Sequence, residues 1–120
     1  MATIEGGQPR VRPVTLIYFD KRFWITTGTD SAKVKQIREK PKVEFCLLLT
    51  KGNEELYVRV AGLAKTIQNR EIKERIARHC DFFSEHWESI DDPNYTLLEI
   101  CPTEIEYLGP GETIAQKFRL

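Results

Sequence analysis

Apolar positions in the first thirty residues come in short β-branched and aromatic runs: Val11 and Val14, Ile17 to Phe19, then Phe23 to Ile25. Such side chains pack well on a pleated surface, and the runs predict strands at Ala2 to Ile4, Pro9 to Phe19 and Arg22 to Thr27. Glu5-Gly6-Gly7-Gln8 and Asp20-Lys21 supply the turns between them. After Thr29-Asp30-Ser31 the spacing lengthens. These are N-cap residue types, Val34 and Ile37 follow at helical spacing, and Pro41 stops the segment, which predicts a helix over 31–40.

Strand spacing then returns at Val43 to Thr50 and Glu55 to Ile67, around a hairpin signal at Lys51-Gly52-Asn53. In the second of these, Tyr57, Arg59 and Ala61 share one face and Val58, Val60 and Gly62 the other. Asn69 caps a predicted helix from Arg70 to Cys80, whose Ile72 and Ile76 form an i, i+4 pair. A further turn or two follows over 82–89, and Asp91-Asp92-Pro93-Asn94 breaks it. The last long strand runs from Tyr95 to Tyr107, with Pro102 at an interruption or an edge because it has no N–H for a ladder. Six mostly antiparallel strands with short helices between them predict a mainly β domain, a small β-barrel with helical additions.

Size and charge narrow this picture. At 120 residues and 14.0 kDa the chain has room for one domain, and dimerisation would add to a modest core. Eighteen basic residues balance eighteen acidic ones, which argues against a general nucleic-acid or membrane-surface binder. The balance is uneven along the chain: Arg10 to Lys42 holds nine Lys/Arg against three Asp/Glu, whereas Asp81 to Glu112 holds nine acids and no Lys or Arg. With no leader signal and no apolar run approaching the roughly 20 residues that span a bilayer, a cytoplasmic protein is expected. The three cysteines are widely spaced, without a C-x-x-C pair. Cys46 and Cys101 lie in apolar runs and read as small core residues.

Two features in the basic stretch point to an anion. Arg10 and Arg12, two apart on a strand, are expected to project together as a guanidinium fork that matches phosphate. Pro13 marks a bulge or edge beside them. Thr26-Thr27-Gly28 ends a strand just before a helix start at Ser31-Ala32-Lys33, where free N–H groups, a hydroxyl and an ammonium could surround a phosphate. Adjacent hairpin strands would bring both features together. The chain lacks a P-loop, a G-x-G-x-x-G and a nucleophile elbow. His79 and His86 fit no metal spacing and are read as having no ligand or catalytic role, and the scattered carboxylates of 81–112 are read as a solvated face with no metal site.

The order Gly7-Gln8-Pro9-Arg10-Val11-Arg12-Pro13-Val14, Trp24-Ile25-Thr26-Thr27, Ser31-Ala32-Lys33-Val34-Lys35-Gln36-Ile37, Pro41-Lys42-Val43-Glu44-Phe45 and Val58-Arg59-Val60-Ala61-Gly62, closed by Leu97 to Tyr107, resembles the pyridoxamine 5'-phosphate oxidase-like family. The resemblance covers residues 1–108 and implies a six-stranded antiparallel FMN-binding split barrel, usually a homodimer with flavin at the subunit interface. The tail, 109–120, would pack on the same domain or on the partner. By position, the resemblance implies that Arg12, Thr26, Thr27, Ser31 and Lys33 hold the FMN phosphate and line the flavin, with Pro13 and Val14 along the ring and Arg10 a lesser match. It further implies an FMN-dependent oxidoreductase acting on a small-molecule redox substrate. Ile17 and Tyr57 stand where the family's vitamin B6 oxidases have lysine and glutamine, so that substrate is not implied. The alternatives are a deazaflavin- or haem-binding split barrel and a non-catalytic, stress-related binding domain.

Overall fold

A computed structural model describes residues 1–120. Its strands are β1 (Ala2–Glu5), β2 (Gln8–Val11), β3 (Ile17–Phe19), β4 (Arg22–Gly28), β5 (Lys42–Lys51), β6 (Glu54–Thr66), β7 (Tyr95–Leu108) and β8 (Gln116–Arg119). Helix α1 (Ala32–Glu39) lies between β4 and β5, and α2 (Arg70–His79) and α3 (Phe83–His86) lie between β6 and β7. The mainly β, antiparallel architecture agrees with the expected split barrel. Eight strands stand where six were expected, for two reasons: the 9–19 segment divides into β2 and β3, and the tail supplies β8.

All pairings are antiparallel, in the order β2-β1-β5-β6-β7-β4-β3, with β8 added to β7. β2 and β3 therefore lie at opposite ends of the order. Residues 12–16 join them without a ladder, consistent with the missing N–H of Pro13. Met1, Ile25, Val43, Phe45, Val60, Leu98 and Ile100 pack into one buried cluster with Ile37 of α1. Since this cluster draws on most of the sheet, the sheet must curl around it. Val14 and Leu16 of the joining segment pack against the same cluster.

The other face of β4 and β7 carries a second cluster. Trp24, Tyr95 and Leu97 meet Ile76 and Cys80 from α2 and its C-cap, and Phe83, Trp87 and Ile90 from the region of α3. Strand alternation accounts for this division: Leu98 and Ile100 turn into the barrel while Tyr95 and Leu97 turn toward the helices. Helix α2 starts as its sequence dictates, with the Asn69 side chain accepting from Ile72 N–H at 3.0 Å.

Local details account for the irregular positions. Asp20 and Lys21 adopt left-handed φ values of 54° and 58° in the β3–β4 turn, the backbone that a two-residue hairpin demands. Register between β6 and β7 shifts at Ala61/Gly62, so that Gly62 opposes Pro102. The bulge accommodates Pro102, and a Cβ on Gly62 would meet Cys101 O at 2.4 Å, which excludes any side chain there. Cys46 is a correction: Val43 and Phe45 use the inward positions of β5, so Cys46 faces out and is exposed, whereas Cys80 is buried. The acidic segment is also not simply solvated. Glu99 is 5% exposed and lies 3.5 Å from Arg22 and 3.9 Å from Lys65.

Candidate functional site

The junction from β4 to α1 places three polar side chains together. Lys33, in the first turn of α1, folds back so that Nζ donates to Thr27 Oγ1 at 2.7 Å and to Ser31 Oγ at 3.3 Å. Ser31 is the N-cap, with extended backbone, yet its hydroxyl caps no N–H; it faces Lys33 and Thr27 instead. The junction is pinned from behind: Thr29 N–H donates to Asn94 O at 2.9 Å and Thr29 Oγ1 donates to Pro93 O at 2.7 Å.

Arg12 arrives from the other side. Just past the end of β2, its Nη1 donates to Thr3 Oγ1 at 2.7 Å and its Nη2 to Gln36 Oε1 at 2.8 Å. Neither Arg12 nor Lys33 has a carboxylate within ion-pair distance. Burial, and then the charge of Arg12, push the Lys33 pKa below the usual lysine value. Two cations thus feel one another with no anion between them, and an oxyanion placed there would relieve both.

Beside them lies a cleft of about 540 Å³, within the usual size range of small-molecule sites. Pro13, Val14 and Thr15 line it together with Ile25 to Gly28 of β4, Lys33, and Phe82, His86 and Trp87 around α3. Trp87 is held by its indole N–H, which donates to Asn94 O at 3.0 Å. Arg12 lines an adjoining concavity of about 650 Å³ that shares Pro13 with the cleft. Thr26 also borders the cleft, but its hydroxyl is buried without a hydrogen-bond partner. It faces the Cys80 thiol, whose pKa is raised chiefly by burial.

The expected guanidinium fork does not form. Arg10 turns to Glu5, donating to its Oε1 at 3.1 Å on the exposed surface, while Arg12 turns inward. The reason is that Arg12 lies beyond the end of β2, so strand alternation does not aim the two side chains alike. Nor do adjacent hairpin strands unite the two features, since β2 and β4 do not pair; the joining segment and α1 bring Arg12 and Lys33 together. Gln36, Phe82 and Trp87 were not among the expected site residues, and His86, expected to have no ligand or catalytic role, lines the cleft. The aromatic density of Phe82-Phe83-Ser84-Glu85-His86-Trp87 was a usable signal for the cleft wall, whereas nothing local marks Gln36.

Comparison with known proteins fits this geometry. The family model described as "Pyridoxamine 5'-phosphate oxidase" matches residues 1–109. The chain belongs to this family. It is 32% identical over 114 residues to General stress protein 26 of Bacillus subtilis, covering 93% of this chain and 79% of that protein. Among solved structures, a nimC/nimA family protein from Clostridium acetobutylicum superposes with a TM-score of 0.81 at 25% identity, covering 99% of this chain and 80% of that one. Two structures of lower identity share the fold. A pyridoxamine 5'-phosphate oxidase-related, FMN-binding protein from Nostoc punctiforme has a TM-score of 0.75 at 17% identity, over 99% of this chain and 84% of that one. A haem-binding protein from Mycobacterium smegmatis has a TM-score of 0.81 at 15% identity, over 98% and 50%.

Proposed function

We propose that this chain binds FMN through its phosphate and works as an FMN-dependent oxidoreductase on a small-molecule redox substrate. The observation that carries the reading is the pair of cations, Arg12 and Lys33, which the fold surrounds with hydroxyl and amide oxygens and no carboxylate. A phosphate dianion supplies the missing charge and acceptors. Lys33, Thr27, Ser31 and Arg12 would hold that phosphate, Pro13, Val14 and Thr26 would lie along the flavin ring, and Arg10 has no part in it. The FMN-binding protein from Nostoc punctiforme shares this fold, which supports FMN as the ligand.

Flavin supplies hydride and electron transfer when bound. The chain's own residues would anchor, orient and shield it: Lys33 and Arg12 would fix the phosphate end, β4 and Val14 would lie along the ring, and Phe82 and Trp87 would cover part of the cleft. A homodimer belongs to the reading. Val11, Leu48, Ile114 and Leu120 are each at least three-quarters exposed, apolar side chains that a second copy would cover.

One observation favours a second reading: His86 lines the cleft, and an imidazole there is a candidate axial ligand for haem. An absorption spectrum separates the two. The purified chain, incubated with FMN and freed of excess, is expected to be yellow and to release flavin on denaturation, and a reduced nicotinamide, itself oxidised in the step, is expected to bleach the bound flavin by reducing it. A Soret band, or no uptake of FMN, would overturn the flavin reading. A colourless chain that takes up neither cofactor would leave a binding domain without redox chemistry.

A further inference from the structure

Gln36 ties Arg12 to the rest of the fold, and its charge state matters more than its shape. On α1 it is 5% exposed, and its amide is engaged at both ends: Oε1 accepts from Arg12 Nη2 at 2.8 Å and from Thr3 Oγ1 at 2.5 Å, and Nε2 donates to Glu5 Oε2 at 3.2 Å. Thr3, 1% exposed, completes a ring by accepting from Arg12 Nη1. The amide has only one orientation that satisfies these partners, because Arg12 can only donate and the Glu5 carboxylate can only accept.

Beyond Gln36 the chain of contacts runs through Glu5 to Arg10 at 3.1 Å. The nearest carboxylate in this network is therefore already matched by a surface arginine, and a neutral amide stands between it and Arg12. We infer that Gln36 is the positioning residue that aims Arg12 at the anion site while keeping its positive charge uncompensated, so that the site selects phosphorylated ligands over unphosphorylated ones. The inference rests on the phosphate-binding reading above. A glutamate at this position would have the same length and accept the same arginine bond, but it would pair with Arg12 and cancel the charge that an incoming phosphate needs.

The experiment titrates the full chain with FMN and with riboflavin, which lacks the phosphate, and follows flavin fluorescence. The wild-type chain is expected to prefer FMN. Gln36→Glu should weaken FMN by at least about 30-fold while riboflavin affinity stays within about twofold of wild type, a difference that general damage to the cleft would not produce. Gln36→Met, uncharged and of similar length, should cost FMN only about three- to tenfold, the loss of hydrogen bonds without loss of charge. FMN affinity in Gln36→Glu within about twofold of wild type, or a parallel fall for riboflavin, overturns the inference. Should Gln36→Glu not fold, Gln36→Met decides: unchanged FMN affinity overturns the positioning role, and a selective loss supports it. If the wild-type chain shows no preference for FMN, the flavin reading itself fails. The same variants are then titrated with inorganic phosphate, where loss of binding in Gln36→Glu supports the inference and retained binding overturns it.

Discussion

Two basic clusters in this chain use the same residue types and reach opposite results. On the outer face near β8, Arg59 lies 3.3 Å from Glu44 and 3.0 Å from Glu106, Lys117 lies 3.8 Å from Glu106, and the Tyr57 hydroxyl donates to Glu106 at 2.8 Å. At the β4–α1 junction, Lys33 and Arg12 meet only neutral oxygens. The first cluster is closed: each charge has its counter-charge within the fold. The second is open, and the Lys33 pKa is lowered there first by burial and then by the charge of Arg12. In a chain of zero net charge, the informative cations are those the fold declines to neutralise.

The contrast can be broken most severely by removing the open cations. Arg12→Ala and Lys33→Ala should each weaken FMN about 10- to 100-fold, and together about 1,000-fold; Lys33→Ala should change thermal stability little, whereas Arg12→Ala, which takes hydrogen bonds from buried Thr3 and Gln36, should cost about 1 kcal/mol or more. Fluorescence titration checks the first part and a melting curve the second.

A carboxylate placed in the open site should turn it into a closed one. Ser31→Asp puts an acid at the helix start beside Lys33. FMN affinity should fall about tenfold or more, while stability is unchanged or gains about 0.5 kcal/mol from the cap and the new pair. A variant that binds FMN as well as wild type would mean that Lys33 does not meet the phosphate.

The closed cluster should answer in the reverse sense. Glu106→Gln leaves Arg59 and Lys117 with a weaker partner and should cost about 1–2 kcal/mol of stability, read by urea unfolding, with FMN affinity unaltered.

The smallest effect is in pH. Lys33 must be charged to hold a phosphate, and its pKa in the free chain lies below 10.5. Bound phosphate raises that pKa, so affinity holds at neutral pH and declines as pH rises through the depressed value. Arg12→Leu removes one of the two causes of the depression and should move the decline to higher pH. Below about pH 6 the phosphate loses its second charge, which weakens binding from the other side.

Much of this was legible before any coordinates. The change from strand to helix spacing at Ser31 located the start of α1 within one residue, and hydroxyls followed by Ser-x-Lys were enough to point to an anion. What the chain did not reveal locally were decisions made by tertiary partners. Pro9 to Phe19 reads as one strand interrupted at Pro13, yet β2 finds β1 while β3 finds β4, and the segment between them has no strand partner. Arg10 and Arg12 look alike in sequence and differ only because Glu5 stands near one and Gln36 near the other. Glu99 belongs to an acidic stretch, but Arg22 and Lys65 from flanking strands meet it. A buried glutamine on a polar helix has no periodicity to betray it.

The place of β7 in the sheet has a consequence for synthesis. β7 lies between β6 and β4, so β4, which carries Thr26 and Thr27, has only the three-residue β3 as a partner until residues 95–100 have been made. As the chain leaves the ribosome, β5 and β6 can pair as a hairpin, but the floor of the cleft waits until β7 has followed them. On the flavin reading proposed above, the cleft is therefore assembled only when β7 closes the sheet against β4.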